Sequence, residues 1–308
     1  MADGGLAKDN FNHMATAIGI DLGGTRIKAI AISAKGNVLY QLYKPTNDGE
    51  DKTWKQAVTD AVKELKEKIN IEDVLVGISA PGLPNDNNSC IAFMPGRMQG
   101  LENFCWKDHL LQPAYVLNDA VAAMMAEATF GVAKNKMNVV MLTLGTGVGG
   151  AILINGKPYQ GAFNKAGHIG HMVINDEGDR DVTGMPGSLE DCIGNYSIEK
   201  RSKGKFSSTQ ELLEAYRKDD AFAKDVWLRS VKQLAIGLAS ITNILSPEII
   251  VLGGGIADAN NDLFEPLKEF MDQYEWRAGG KAVEIVKATY GDMAGAIGAA
   301  CFAMSKQN

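Results

Sequence analysis

The sequence predicts an α/β protein built by duplication, in which a glycine-turned β-meander followed by helices occurs twice. Three observations carry this. The segment from Ala17 to Ile32 is an apolar run, a Gly/Thr turn (Gly23-Gly24-Thr25) and a second apolar run. The segment from Val139 to Ile154 repeats that pattern around Gly145-Thr146-Gly147. Each second run then ends in a glycine-containing turn, Lys35-Gly36-Asn37 and Asn155-Gly156-Lys157. Glycines let a backbone approach a ligand and aim its N–H groups at an anion. Two such hairpins point to two related lobes holding one phosphate-bearing ligand.

The elements follow in order. Three apolar-rich runs between Ala17 and Tyr43, joined by short turns, predict an antiparallel meander. Trp54, Ala57, Val58, Ala61, Val62 and Leu65 recur at helical spacing and predict an amphipathic helix. Val74 to Ser79 reads as a buried strand ended by Ala80-Pro81-Gly82, followed by a loop rich in Asn, Asp and Pro. Ala114 to Leu117 is a further strand that delivers Asn118-Asp119 to a helix from Ala120 to Phe130. The second cassette opens the second half and gives way to an irregular, glycine-rich stretch from Tyr159 to Gly187. Ser208-x-x-Glu211 has the form of a capping box. A longer helix carries Val231, Leu234, Leu238, Ile241 and Leu245 and stops at Ser246-Pro247. Ile249 to Leu252 is a short buried strand running into Gly253-Gly254-Gly255, and the last helix, Ala294 to Met304, is small and apolar enough for close packing.

At 308 residues the chain has room for about two domains. A net charge of −6 gives no electrostatic reason to expect nucleic acid or an anionic membrane as partner. Cys90, Cys105, Cys192 and Cys301 are scattered without a CxxC pair, as expected of reduced thiols. Met1 to Thr16 is polar, without the apolar core of a signal peptide. The uncharged stretch from Val139 to Asn155 is too short to span a bilayer. The expectation is a soluble, cytoplasmic protein.

Gly145-x-Gly147-x-x-Gly150 formally matches a dinucleotide-binding turn, but a strand follows it where that fold needs a helix. No GxxxxGK[ST] segment is present. Phosphate binding by hairpin turns survives both eliminations. Asp21 closes a buried strand just before Leu22-Gly23-Gly24-Thr25, either as an Asx-type turn residue or as a carboxylate near a phosphate-bound Mg²⁺. The GGT that follows and the mirrored second cassette favour the carboxylate. Asp119 reads alone as a helix N-cap, yet an acid at a helix N-terminus stays ionised and suits proton acceptance from a hydroxyl. His168 and His171 sit three apart in a glycine-rich loop, where they read as polar loop residues or as part of a metal site lacking an evident third ligand. Glu190 in isolation is an ordinary acid at the start of a helix.

Taken together, Asp21-Leu22-Gly23-Gly24-Thr25, Ala80-Pro81-Gly82, Leu117-Asn118-Asp119-Ala120, Leu144 to Gly150, Ala166 to His171, Gly187-x-Leu189-Glu190 and Val251 to Gly255 resemble the ROK family of sugar kinases. The match runs from Ile18 to about Ala303. It implies a two-lobed actin-like ATPase (ribonuclease H-like) fold with a central cleft. Residues 1–118 would form the N-terminal lobe, joined by the C-terminal helix at 292–308, and residues 119–291 the C-terminal lobe. The resemblance also implies roles. Asp119 would be the general base toward a sugar hydroxyl, usually the 6-OH. Asn118, His168, His171, Glu190 and Gly82 would belong to the sugar site. Asp21 would hold Mg²⁺ through water. Gly23, Gly24, Thr25 and Gly145-Thr146-Gly147 would cradle the phosphates of ATP, and Gly254 and Gly255 would lie near its adenosine. Family members are often dimers, so a homodimer is expected by analogy.

Two departures matter. Many family members carry zinc on a CxCGxxGC segment and the final His of the GxxGH loop. Here that segment is Asp181-Val182-Thr183-Gly184-Met185-Pro186-Gly187-Ser188, without its cysteines, and Cys192 is out of register. Oxygens are poor substitutes for thiolates around zinc, so no structural zinc is expected, and packing and hydrogen bonds would hold the loop. Second, His168 stands where many glucose-type members have Glu. Some bacterial N-acetylmannosamine kinases also resemble Ala-Gly-His-Ile-Gly-His here, which raises an N-acylhexosamine reading. A sugar-responsive repressor would need a winged-helix domain ahead of Ala17. A catalytically silent sugar sensor is opposed by Asp21, Asp119 and both glycine turns.

Overall fold

A computed structural model describes residues 16–46, 53–94 and 98–306. The polar opening segment up to Ala15 and the last two residues, 307–308, lie outside the described residues. Strands β1 (Ala17–Leu22), β2 (Arg26–Ile32) and β3 (Val38–Pro45) form the expected meander. Helix α1 (Trp54–Ile69) buries Trp54, Val58, Ala61, Val62 and Leu65 against it, and Asn70 ends the helix in the left-handed conformation. Strand β4 (Leu75–Ala80), the short pair β5 (Leu83–Pro84) and β6 (Ile91–Phe93), and helix α2 (Trp106–Leu110) lead to β7 (Ala114–Asn118). The first sheet has the order β3-β2-β1-β4-β7, antiparallel up to β1 and parallel from β1 to β7.

After helix α3 (Asp119–Thr129) the plan repeats. Strands β8 (Val139–Leu144), β9 (Val148–Ile154) and β10 (Lys157–Pro158) make the second meander. The loop to Ser188 carries a 3₁₀ turn at Ile169–His171, and helices α4 (Leu189–Ile193), α5 (Ile198–Arg201), α6 (Thr209–Tyr216) and α7 (Ala221–Leu245) follow. Then come β11 (Ile249–Gly253), α8 (Asn261–Tyr274), β12 (Glu284–Lys287) and α9 (Ala294–Ser305). The second sheet has the order β10-β9-β8-β11-β12, with β8, β11 and β12 parallel. The two sheets therefore share one topology, which is the duplication the sequence predicts. Ser208 caps α6 by accepting from Glu211 N–H, while the Glu211 carboxylate takes the N–H of Ser207 rather than that of the cap residue.

Each sheet has its own apolar core. One joins β1, β4 and α1 around Trp54, Trp106 and Ile78. The other joins β8, β11, α7 and α8 around Leu142, Trp227 and Leu252. Helix α9 returns from the second sheet to lie on the first. Gly19 of β1 and Gly77 of β4 are cross-strand partners, and a Cβ on either would overlap a carbonyl of α9, that of Ala296 or Ala299. The bare backbone makes a groove into which the alanine-rich helix sinks. Filling it with one methyl would cost about 1–3 kcal/mol by overpacking. The same helix packs along α3, where Gly298 meets the Ala122 carbonyl. Helices α3 and α9 are thus the packed pair between the sheets, with their first turns at the cleft.

Candidate active site

A cavity of about 540 Å³ opens between the ends of the parallel strands of the two sheets. Asp21, Gly23 and Gly24 line it from the first meander. Asp119 lines it at the start of α3, and Gly254 and Gly255 line it after β11. Gly254 has φ +84°, and a Cβ there would overlap the backbone of Leu144, so the turn lies directly on the end of β8. These six residues, far apart in sequence, meet at one cavity. The other expected residues do not line it. Thr25 is exposed, with its carbonyl taken by the N–H of the buried Thr46.

Asp21 is held on both sides. Ser79 Oγ donates to Oδ1 at 2.8 Å, and Lys28, directly opposite on β2, donates to Oδ2 at 3.1 Å. Lys28 also pairs with Asp292 just before α9, at 2.8 Å. Burial works against the Lys28 charge, but hydrogen bonds to Asp292 and Asp21 outweigh it and hold its pKa above the ordinary value. Asp21 retains lone pairs beyond these two contacts. A carboxylate so engaged fits Mg²⁺ through water, because that ion gives up its waters reluctantly.

At the next strand end, the structure corrects the reading of Asp119 as the cap. Asn118 is the N-cap, in extended conformation, and its Oδ1 accepts from Ala120 N–H. Asn118 Nδ2 donates to the Gly82 carbonyl at 3.1 Å, tying the Ala80-Pro81-Gly82 turn to β7. Asp119 is the first helical residue and its carboxylate is exposed to the cleft. The helix N-terminus favours its charged form.

Glu190, His171 and His168 form a contiguous second group beside the Gly145-Thr146-Gly147 turn. Ser188 caps α4 and thereby places Glu190 in its first turn. Glu190 Oε2 accepts from Val148 N–H at 2.9 Å, and a Cβ on Gly147 would overlap that oxygen. The carbonyls of Gly145 and Thr146 accept from Asn195 and Tyr196, so this turn is anchored to the segment after α4. The His168 and His171 rings are stacked, with centroids 6.5 Å apart and 15° between planes. His168 Nδ1 lies 3.1 Å from the Lys165 carbonyl, which can only accept, so Nδ1 carries the proton and Nε2 is the acceptor. Burial lowers the His168 pKa and keeps the ring neutral at pH 7.

The residues at the position of the family's zinc motif do not fit that ion. Ser188 is spent on its cap. Thr183 Oγ1 donates to Asp181. Cys192 is buried, and its sulfur is not among the ligand atoms that gather at His171, Asp181 and Glu190. His171, Asp181 and Glu190 bring ligand atoms within 4.8 Å of one another, but this is one nitrogen among carboxylates. Two of the three are already bonded to each other, at 2.9 Å.

Lys28 and Asp292 were missed in the sequence. The signal for Lys28 was available, as a lone charge within the buried run Ile27 to Ile32 and one strand across from Asp21. For Asp292 there was none, since its partner is 264 residues away. Among the described residues no helix is long and apolar enough to cross a membrane.

Against known proteins, a glucokinase of Streptomyces coelicolor is 29% identical over 321 residues, 93% of this chain and 97% of the relative. An N-acetylmannosamine kinase of Vibrio cholerae is 35% identical over 256 residues, 80% and 86% of the two chains. The crystal structure of a ROK family glucokinase from Streptomyces griseus in complex with glucose and AMPPNP aligns with a TM-score of 0.77 and 26% identity, over 94% of this chain and 100% of that one. The duplicated sheets and the cleft between them are those of the two-lobed actin-like ATPase fold. The ROK family model matches residues 17–306, nearly everything the structure describes, and with both meanders, the Asn118-Asp119 corner and the histidine loop inside that span, the chain belongs to the ROK family.

Proposed function

We propose that this chain is an ATP-dependent sugar kinase that moves the γ-phosphoryl group of ATP to the 6-hydroxyl of a hexose or an N-acylhexosamine. The observation that carries the reading is the meeting of Asp119 with Asp21, Gly23, Gly24, Gly254 and Gly255 around one cavity. In this reading Asp119 accepts the hydroxyl proton as the oxygen attacks, since phosphoryl transfer needs positioning and charge stabilisation more than covalent help. Gly23 and Gly24 take the phosphates, with Thr25 and the Gly145-Thr146-Gly147 turn flanking them. Gly254 and Gly255 border the adenosine. Mg²⁺, when bound with ATP, would neutralise phosphate charge, and Asp21, held in place by Lys28, would accept from its waters. Asn118, Glu190, His168 and His171 bind ring hydroxyls, and Gly82 holds Asn118. The lobes divide at residues 118 and 119, and the segment from 292 belongs with the first lobe, on which α9 packs. Closure of the lobes would exclude water from the transferring group. ATP and sugar phosphates meet in the cytoplasm, which is the location this reading proposes.

His168 favours a narrower reading, an N-acetylmannosamine kinase. A Glu accepts from two hydroxyls, whereas this neutral imidazole accepts once through Nε2. The Vibrio cholerae relative named for that activity supports it. A coupled ADP-release assay with glucose, N-acetylglucosamine, N-acetylmannosamine, mannose and fructose tests both. The expected result is turnover, highest on an N-acylhexosamine. Sugar binding without turnover on any of the five overturns the kinase reading in favour of a sensor.

A further inference from the structure

We propose that Asp181 is the positioning residue for His171. It fixes the imidazole with its proton on Nδ1, so that Nε2 is presented to the substrate as an acceptor, and it does so without a metal ion. The proposal rests on the sugar-kinase reading only for what Nε2 meets.

The geometry separates the two oxygens of the carboxylate by task. Oδ1 accepts from Thr183 N–H at 2.8 Å, Thr183 Oγ1 at 2.7 Å and Met185 N–H at 3.1 Å. The tight turn around it is closed by Asp181 N–H to the Met185 carbonyl and Gly184 N–H to the Asp181 carbonyl, both at 2.9 Å. Oδ2 faces His171 Nδ1 at 2.9 Å. The Asp181 side chain is wholly buried, whereas that of His171 is 27% exposed. One end of the contact is therefore immobile and the other reaches the surface. Two backbone N–H groups and a hydroxyl on Oδ1 are the partners of a carboxylate, the form an Asp ordinarily takes at neutral pH. An ionised carboxylate only accepts, so the proton in this bond belongs to Nδ1. A histidine's free nitrogen takes its role from the bond the other nitrogen makes. His168, stacked on the same ring, carries its proton on Nδ1 through Lys165. The loop thus offers two parallel imidazoles, both with Nε2 as acceptor.

The test is tautomer-resolved NMR of protein labelled with ¹⁵N-histidine and dialysed against chelator, the His171 signal being assigned by its loss in His171→Gln. The expected spectrum has the His171 proton on Nδ1. A proton on Nε2, or a metal-shifted ring with stoichiometric zinc surviving dialysis, overturns the proposal and needs no variant to do so. Asp181→Asn sharpens it. Three donors surround Oδ1 and one faces Oδ2, so the amide oxygen turns to the three and its NH₂ toward His171. That favours the Nε2–H tautomer. The expected outcome is a shifted tautomer and a sugar KM raised about 10–100-fold, with kcat changed less. An unshifted tautomer, or a shifted tautomer with unchanged KM, overturns the positioning role. If no sugar is turned over, the kinase reading fails while the spectra still judge Asp181.

Discussion

The two glycine turns occupy equivalent places in two sheets of one topology, yet they have parted in chemistry. In the first, the fifth residue of the leading strand is Asp21 and its cross-strand partner is Lys28, an ion pair at 3.1 Å. In the second, the same positions hold Thr143 and Gly149, which carry no charge. The first turn lines the cavity through Gly23 and Gly24. The second is tied by its carbonyls to the segment after α4, and Gly147 abuts Glu190. Duplication supplied one fold twice, and divergence left the charge pair in one copy and the paired-histidine loop in the other.

Between the copies stands Asp119, and the largest effect is expected there. Asp119→Asn should lower kcat by about 10²–10⁴-fold, the range for a lost general base, while sugar binding by titration stays within a few-fold. Residual activity near wild type would show that positioning alone suffices. The comparison itself is broken or upheld by the next pair. Asp21→Asn removes the charge of the first copy and should cost about 10²-fold in kcat, as losing one electrostatic contact to a developing transition state does. Thr143→Val, its counterpart, should change kcat less than threefold. Equal losses from the two would mean that the copies still share the work.

The glycines of the second turn give a smaller, sharper contrast. A Cβ on Gly147 would overlap the Glu190 carboxylate, whereas one on Gly145 meets open space. Gly147→Ala is therefore expected to raise the sugar KM about tenfold, roughly 1.4 kcal/mol, and Gly145→Ala to leave it within twofold. Steady-state kinetics on the preferred sugar separates them, and matched values would detach Glu190 from this turn's function.

What was legible in the sequence was what is local. The period-two runs, the glycine turns, the α1 stripe and the small-residue helix α9 all reflect neighbours within a few residues, or a burial pattern that any partner would impose. The Asn118-Asp119 corner was visible as a strand-to-helix junction, but not which residue caps it. That depends on backbone conformation, and Asn118 adopts the extended cap geometry. Strand β12 was missed because Glu284–Lys287 is short and only half-buried, so alternation carries little signal there. The Lys28–Asp292 pair and the contact of Asp181 with His171 were illegible for another reason. The first exists only once residues 264 apart are brought together, and the second only once the loop folds back on a histidine ten residues earlier. The absence of cysteines from Asp181 to Ser188 could be read directly. What took their place could not.

That substitution makes the last and smallest prediction, since it sets the loop of the second copy on a hydrogen-bonded carboxylate. The folded-state pKa of Asp181 is depressed relative to the unfolded chain, so its contribution is present above the unfolded value, near 3.9, and is lost as pH falls through the folded one. Hydrogen bonds to a charged, buried group contribute about 1.5–3 kcal/mol each when net, and part of that offsets burial. Urea unfolding should accordingly show Asp181→Asn less stable than the parent by about 1–3 kcal/mol at pH 6. The gap should narrow as pH drops below 4, because the unfolded parent then takes up a proton that the folded carboxylate does not. A gap that stays constant from pH 6 to pH 3 would mean that the carboxylate is not what orders this loop, and the contrast between the copies would then rest on the cleft charges alone.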